Sequence, residues 1–360
     1  MPIPSLQALD FRRFETANVL KRLNGASRVL AELKGVAASI PNQNILINTL
    51  TLQEARDSSA IENIVTTQDD LYREENPADA TGTAIKEVLR YRQALRTGFE
   101  QVRDTGLLTL NAILDIQEQL ECNQAGFRKL PGTALRDGAG RVIYEPPQDA
   151  NEVLRMMGEL ERFIHDEPSY AADPLVKMAL IHHQFESIHP FYDGNGRTGR
   201  ILNVLYLVKE RLLDIPVLYL SRHIVRTKPD YYRLLQAVRD DDAWEDWVLY
   251  MLDAVASTAA ETISTILGIK ALLQTTKQQV RDNYKFYSQD LINNLFNHPY
   301  TRVEFVQREL GVSRLTATKY LNALADGGML QKLRMGRNNY YVNRPLFDLL
   351  GSGEAPGLRS

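Results

Sequence analysis

The chain has 360 residues, 44% hydrophobic and 24% charged, which supplies a large core and excludes a predominantly disordered chain. Its 42 basic and 45 acidic side chains leave a formal charge of −3, which excludes a wholly basic nucleic-acid coat but leaves room for a local basic patch. The single cysteine, Cys122, rules out an intrachain disulfide or a Cys-rich zinc site and fits a reducing compartment.

At about 150 residues per domain, the length predicts two to three domains. The opening MPIPSLQALDFRRFE has no continuous apolar segment, and the longest apolar run, ILNVLYLV at 201–208, is too short to span a bilayer. The expectation is a cytoplasmic protein without membrane contact.

Most of the sequence reads as helix. At Asp57–Ile64 the run DSSAIENI puts Ser58 and Glu62 on one helical face at i, i+4, and Asn63 can adopt the left-handed conformation near a C-terminus. By itself this is an ordinary helix end. Apolar residues at three- and four-residue spacing predict helices at 83–103, 107–122, 150–165, 174–188, 197–213 and 243–275. Between 132 and 147 the texture changes to GTALRDGAGRVIYEPP, where short apolar runs around Asp137-Gly138 predict a β-hairpin.

The densest chemistry lies at 189–200, HPFYDGNGRTGR. A residue before proline is biased away from the helical region, so the helix at 174–188 should stop and present His189 at its end. Gly194 and Gly196 allow consecutive N–H groups to converge on one anion. The helix starting near Arg197 aims its N-terminus at the same place, and Arg197 and Arg200 project from its first turn. Such a cradle suits a nucleoside triphosphate. Asp193 could serve Mg²⁺, which takes one or two carboxylates and completes its octahedron with phosphate oxygens and water. His189, the loop's one group that ordinarily titrates near neutrality, is the candidate base for activating a hydroxyl. The adjacent His182 and His183 point about 100° apart on a helix; one is expected to pack and the other to be partly exposed, rather than both binding a metal. Glu186 is either an orienting group or a solvated or capping carboxylate.

A second change comes near 285. Helices at 288–297 and 301–310, a turn at Gly311, a helix starting near Ser313 and two strand-like stretches at 329–335 and 338–343 follow the order of a winged helix-turn-helix. In its third helix Ala317, Tyr320, Leu321 and Leu324 should face the core. Between Ser313 and Arg344, Arg314, Lys319, Lys332, Arg334, Arg337 and Arg344 stand against Asp326 alone. That is the footprint of a DNA-binding module; a module for protein contact is the alternative. A frayed tail is expected after Leu350.

The stretch HPFYDGNGRTGR resembles the Fic-family signature HPFxDGNGRxxR. The likeness covers roughly residues 10–260 and is strongest at 180–205. It implies a mainly α Fic fold with a β-hairpin flap at 132–147, on which an extended target segment adds as a strand, here followed by the C-terminal winged helix. The implied activity is transfer of AMP from ATP, with Mg²⁺, to a Tyr, Thr or Ser hydroxyl of a protein. By resemblance His189 is the general base and Asp193 the Mg²⁺ ligand. Gly194, Asn195 and Gly196 form the anion hole, Arg197 contacts the α/β-phosphates, Arg200 the γ-phosphate, and Phe191 anchors the loop in the core.

With that signature downstream, Ser58–Asn63 matches the family's inhibitory pattern [S/T]xxxE[G/N]. Glu62 would hold Arg200 bidentately and keep the γ-phosphate out. The resulting division is a helical N-terminal region at 1–100, a catalytic core at 101–275 and the winged helix at 285–346. Dimers are common among similar proteins, so a homodimer is an expected assembly. The other readings are removal of AMP or another nucleotide transfer, and a DNA-binding transcriptional regulator whose Fic site only senses nucleotide.

Overall fold

The computed structural model describes residues 6–74, 80, 82–136, 138–165, 172–335 and 338–352. After two short 3-10 turns come α1 (Ala17–Ala38), α2 (Asn44–Ile61), α3 (Gln68–Arg73), α4 (Thr83–Thr105) and α5 (Leu110–Glu121). Strands β1 (Leu135–Arg136) and β2 (Val142–Tyr144) form the hairpin, antiparallel with a register irregularity between Leu135 and Arg136. Of the expected turn, Asp137 lies outside the described residues. Then follow α6 (Ala150–His165), α7 (Pro174–Ile188), α8 (Asn195–Lys209), α9 (Leu220–Arg226), α10 (Lys228–Asp241) and α11 (Trp244–Asn283).

The centre of the molecule is the α7–α8 pair. Every α7 residue from Leu175 to Ile188 is buried, polar ones included, so the helix has no solvent face and its sequence shows little amphipathic contrast. α6 packs on α7, α4 and α5 pack on α8, and α1 runs along α11. α4 approaches its neighbours closely at Gly98: a Cβ there would lie 2.5 Å from Leu205 Cδ1 and 2.9 Å from Ile116 Cδ1.

The C-terminal segment runs α12 (Gln289–Asn297), β3 (Tyr300–Thr301), α13 (Val303–Leu310), α14 (Arg314–Asp326), β4 (Gln331–Met335), β5 (Asn338–Val342) and α15 (Arg344–Ser352). The strands form an antiparallel sheet in the order β3-β5-β4. The expected helix at 301–310 begins two residues later, because Tyr300 and Thr301 pair with Val342 and Tyr341. Ser313 caps α14 by accepting from Thr316 N–H. Ala317, Leu321 and Leu324 are buried as expected, and Tyr320 stacks on Phe286 with ring centroids 4.3 Å apart. Helix α15 was not expected; the tail beyond 352 lies outside the described residues.

This segment is docked firmly on the rest. α12 and α15 both pack against α2. Gln53 donates to the Leu350 carbonyl, Gln68 donates to the Phe347 carbonyl at 3.1 Å, and the Tyr300 hydroxyl bonds Asp69. Among the described residues no helix is long and apolar enough to cross a membrane.

Gly98→Ala should overpack the α4–α5–α8 junction and lower stability by about 1–3 kcal/mol. Denaturant unfolding of the two proteins measures this directly; equal midpoints would show that the junction relaxes.

Candidate active site

Helix α7 stops where Pro190 requires. His189 sits at its C-terminus with φ 49° and ψ 59°, a left-handed conformation uncommon for a residue with a side chain. Its Nδ1 is buried and has no hydrogen-bond partner among the described residues. Burial and the nearby Arg128 and Arg239 guanidiniums bring its pKa down to about 4, against weaker upward pulls from the Glu186 carbonyl and the Glu62 carboxylate. The ring is therefore neutral at pH 7, ready to accept a proton.

The loop after it is held from inside. Phe191 is fully buried against Phe127 and Phe185. The Asn195 side chain accepts from Phe191 N–H at 2.8 Å and donates to Phe191 O at 2.8 Å. Asn195 thus braces the loop with its amide; only its backbone N–H is available for an anion. The Asp193 carboxylate accepts from Gly194 N–H at 2.7 Å, and its side chain is 77% exposed.

Gly194, at φ 79°, caps α8, which begins two residues earlier than its sequence predicts. The N–H groups of Asn195, Gly196 and Arg197 form the helix's first turn, where an α-helix offers donors without intrahelical acceptors. Gly196 has to be small: a Cβ would collide with a Glu62 carboxylate oxygen and lie 2.9 Å from Arg200 Nη1.

Arg200 is 2% exposed. Its Nε donates to Ser58 Oγ at 2.8 Å, and its Nη2 donates to Ser58 O at 3.0 Å and to Glu62 Oε1 at 2.9 Å. The expected bidentate pair is not what forms: Glu62 contributes one oxygen, and Ser58, fully buried one turn earlier, takes Nε and shares Nη2 with it. Asn63, at φ 64°, ends α2 as expected, and Lys228 donates to Ile61 O at 2.6 Å and to Asn63 Oδ1 at 3.2 Å. Burial would raise the Glu62 carboxyl, but Arg200, with Arg197 and Lys228, holds it below the ordinary range. The ionised Glu62 lies over the first turn of α8, where an incoming anion would sit.

Arg197, also buried, pairs with Glu121 at 2.8 Å and Glu87 at 3.3 Å, with Asp193 at 3.8 Å. Neither glutamate was found from the sequence. Each is one acidic residue on a helix of mixed polarity, indistinguishable there from a solvated face.

His182 and His183 are both buried, which corrects the expectation of partial exposure. His182 Nε2 bonds the Tyr231 hydroxyl at 2.8 Å, and His183 Nε2 donates to Leu235 O at 3.2 Å. Burial lowers both pKa values to about 3, and among the described residues no His, Cys, Asp and Glu grouping forms a metal cage. The exposed Asp193 carboxylate beside the α8 N-terminus is a donor set suited to Mg²⁺, which needs one carboxylate and shares its other positions with phosphate and water.

Glu186 is neither solvated nor capping. It is buried, with no partner for Oε1 among the described residues, and burial raises its pKa to about 7 against the pull of Arg200. Glu54, on the same α2 face as Ser58 and Glu62, is bonded by the Tyr91 hydroxyl at 3.1 Å and by Ser221; burial raises its pKa to about 8.

A helical scaffold that gathers a neutral histidine, an exposed carboxylate and a basic, donor-lined helix start is an anion-binding scaffold. Three sequence profiles match consecutive stretches of it: Fic/DOC family N-terminal at residues 20–100, Fic/DOC family at 107–207, and protein adenylyltransferase SoFic-like, C-terminal domain at 272–346. The chain belongs to the Fic/DOC family. It is 32% identical over 122 residues to protein adenylyltransferase fic-1 of Caenorhabditis briggsae, a match covering 32% of this chain and 23% of that protein. It is 24% identical over 253 residues to protein adenylyltransferase Fic of Drosophila yakuba, covering 70% of this chain and 46% of the relative. It thus spans less than half the length of these curated relatives.

Among solved structures, a Fic family protein from Desulfovibrio desulfuricans G20 superposes with a TM-score of 0.57 at 22% identity, covering 91% of this chain and 96% of that one. Fic-1 from Caenorhabditis elegans gives 0.53 at 18% identity, over 72% and 76%. These likenesses establish the fold.

Because Glu54 and Glu186 ionise later folded than unfolded, these two groups hold more protons in the folded chain between about pH 5 and 8, and their contribution to stability falls as pH rises through that window, opposite in sign to that of the buried His182, His183 and His189 at its lower end. Glu54→Gln removes one of the two groups and should flatten the fall. Unfolding free energies at pH 5, 6.5 and 8 test it; parallel curves would mean that Glu54 is ionised in the folded protein.

Proposed function

We propose that the chain transfers AMP from Mg-ATP to a Tyr, Thr or Ser hydroxyl of a protein and that Glu62 holds this activity down. The observation that carries the reading is the occupancy of Arg200 and the α8 N-terminus by Glu62, 2.9 Å from Nη2: the protein's own carboxylate stands where a phosphate would.

In the working state the N–H groups of Asn195, Gly196 and Arg197 in the first turn of α8, with the Arg197 side chain, hold the α- and β-phosphates, Gly194 caps that turn with its own N–H on Asp193, and Arg200 holds the γ-phosphate. Mg²⁺ at Asp193 would neutralise charge on the phosphate oxygens. His189 takes the proton of the target hydroxyl as its oxygen bonds to the α-phosphorus, and the bond from that phosphorus to the bridging oxygen breaks, releasing pyrophosphate. The flap of β1 and β2, whose Val142 and Ile143 are exposed, receives the target as an added strand.

The division into an N-terminal inhibitory region, a catalytic core and a C-terminal winged helix from about 285 belongs to this reading, as do a cytoplasmic setting and a homodimeric assembly. Removal of AMP by the same groups is the other reading: water attacks the phosphorus, its bond to the protein oxygen breaks, and that oxygen leaves with a proton as AMP is released.

A DNA-binding regulator is the second reading, favoured by exposed Lys319 and Arg334 and by Leu315, 82% exposed one turn before Lys319 on α14. Part of the basic face is already engaged. Arg314 lies 3.7 Å from Glu304, Arg344 pairs with Asp348 at 3.1 Å and Lys332 bonds Asn322; Arg337 lies outside the described residues. Label from α-labelled but not γ-labelled ATP entering protein supports AMP transfer; label from neither supports the sensor.

Glu62→Gly should raise AMP incorporation at least tenfold, since misplacement by about 1 Å can cost 10²-fold in rate. Arg200→Ala should be weak with or without Glu62, so the two changes will be strongly non-additive. Equal rates for wild type and Glu62→Gly across ATP concentrations would remove the brake.

His189→Ala in the Glu62→Gly background should lower the rate 10²–10⁴-fold while leaving ATP affinity in place. Loss of affinity in step with rate would make His189 a binding residue instead.

A further inference from the structure

A helix C-terminus leaves its last carbonyls without intrahelical donors. In α7 the Phe185 carbonyl still accepts from His189 N–H at 2.9 Å, so the orphans are those of Glu186, Ser187, Ile188 and His189. All four are bonded by side chains. Arg239 Nη2 donates to Glu186 O at 3.3 Å and the Tyr144 hydroxyl to Ser187 O at 2.9 Å. Arg128 Nη2 donates to Ile188 O at 3.3 Å and its Nε to His189 O at 2.8 Å.

We propose that Arg128, Arg239 and Tyr144 are positioning residues for His189, and that through them the placement of the imidazole and the set of the flap are one mechanical unit. The proposal rests on the AMP-transfer reading for its kinetic consequence, though not for its geometry.

Three features join the cap to the flap. Tyr144 is the last residue of β2. The Arg239 guanidinium stands over the Tyr144 ring, 3.9 Å from its centroid, while its Nε bonds Ser187 Oγ at 3.0 Å. Arg128 also donates to Pro147 O, just past the hairpin, and its backbone N–H donates to Pro190 O at 2.8 Å. A target strand that stiffens β2 therefore stiffens the residue bonded to Ser187 O, two positions before the base.

The cap also explains how His189 keeps a left-handed backbone without being glycine. Two guanidiniums at the negative end of the helix dipole make charge-assisted bonds to the carbonyls on either side of it. Arg128 can bridge two carbonyls because its fork carries several donors in fixed directions, which a lysine lacks. The groups facing the His189 ring are Arg128 and Arg239, which disfavour its protonation, and the Glu186 carbonyl and Glu62, which favour it.

The test uses the full chain in the Glu62→Gly background, with Arg128→Gln, Arg128→Lys, Arg239→Gln and Tyr144→Phe. The rate is label from α-labelled ATP entering lysate protein at saturating ATP. Arg128→Gln and Tyr144→Phe should lower it on the order of 10- to 100-fold with ATP half-saturation unchanged, and Arg128→Lys should rescue only part. A histidine-ring NMR titration should show His189 gaining its proton at higher pH in Arg128→Gln and Arg239→Gln, and at an unchanged pH in Tyr144→Phe. Tyr144→Phe loses a single hydroxyl, so it carries the test if an arginine variant does not fold. Parental rates in folded Tyr144→Phe, an effect confined to ATP half-saturation, or an unmoved titration in folded Arg128→Gln would overturn the proposal. If the Glu62→Gly parent labels nothing, the AMP-transfer reading fails, while the titration still decides whether the cap sets His189.

Discussion

One buried guanidinium sets the terms for its surroundings. Burial would depress the pKa of Arg200, but Glu62, Tyr231, Tyr91 and Glu186 more than offset it and push it above its ordinary value. A permanent cation with almost no water must be matched by hydrogen bonds and by negative charge. Ser58 supplies two of the bonds, so the cation stays anchored to α2 even when Glu62 lets go. The negative charge comes first from Glu62, because burial favours the protonated form of Glu54 and holds that of Glu186 up to about pH 7. In the proposed reaction that carboxylate is balanced against one phosphate for the same partner. Two further acids stand behind, able to ionise when the balance shifts.

Much of this was legible because the chemistry is concentrated. His189, Asp193, Gly194, Gly196, Arg197 and Arg200 fall within twelve consecutive residues, and the Pro190 and glycine positions fix the backbone around them. Ser58 and Glu62 were legible as a face of a helix, and the helical periods of α4 to α6 were strong enough to place those elements within a few residues. What failed to show was whatever depends on packing between distant elements. Glu87, Glu121, Arg128 and Arg239 come from α4, α5, a loop and α10; nothing local marks a charged residue that will be buried by another helix. The two-residue β3 exists only through its pairing with β5. Helix α15 did leave a signal, Pro345 in its first turn followed by Leu346, Leu349 and Leu350 at helical spacing, which the glycine-rich tail beyond it masked.

Residues that look alike in sequence also separate by environment. Arg197 and Arg200 stand three apart on one helix, yet Arg197 faces Glu121 and Glu87 near the mouth while Arg200 points into the core against α2. Asn195 and Asp193 differ in the same way: one is closed on the Phe191 backbone as a brace, the other is open. The sequence gives the inventory of polar groups around the loop; which of them face a ligand is decided by the helices above and below it.

α11 has a consequence of its own. Its 40 residues, at 1.5 Å each, make a rod about 60 Å long that packs on α1 and α7 along one part and on α12 and α15 along another. Gly268 meets Leu349 of α15 so closely that a Cβ would lie 2.9 Å from it. A rod gripped at both ends has a fixed phase as well as a fixed length. One inserted residue would turn everything beyond it by about 100° and swing α15 off α2. Seven would nearly restore the angle but shift the far end by about 10 Å. The C-terminal segment is thus geared to α2, and the number of residues in α11 is the gear ratio.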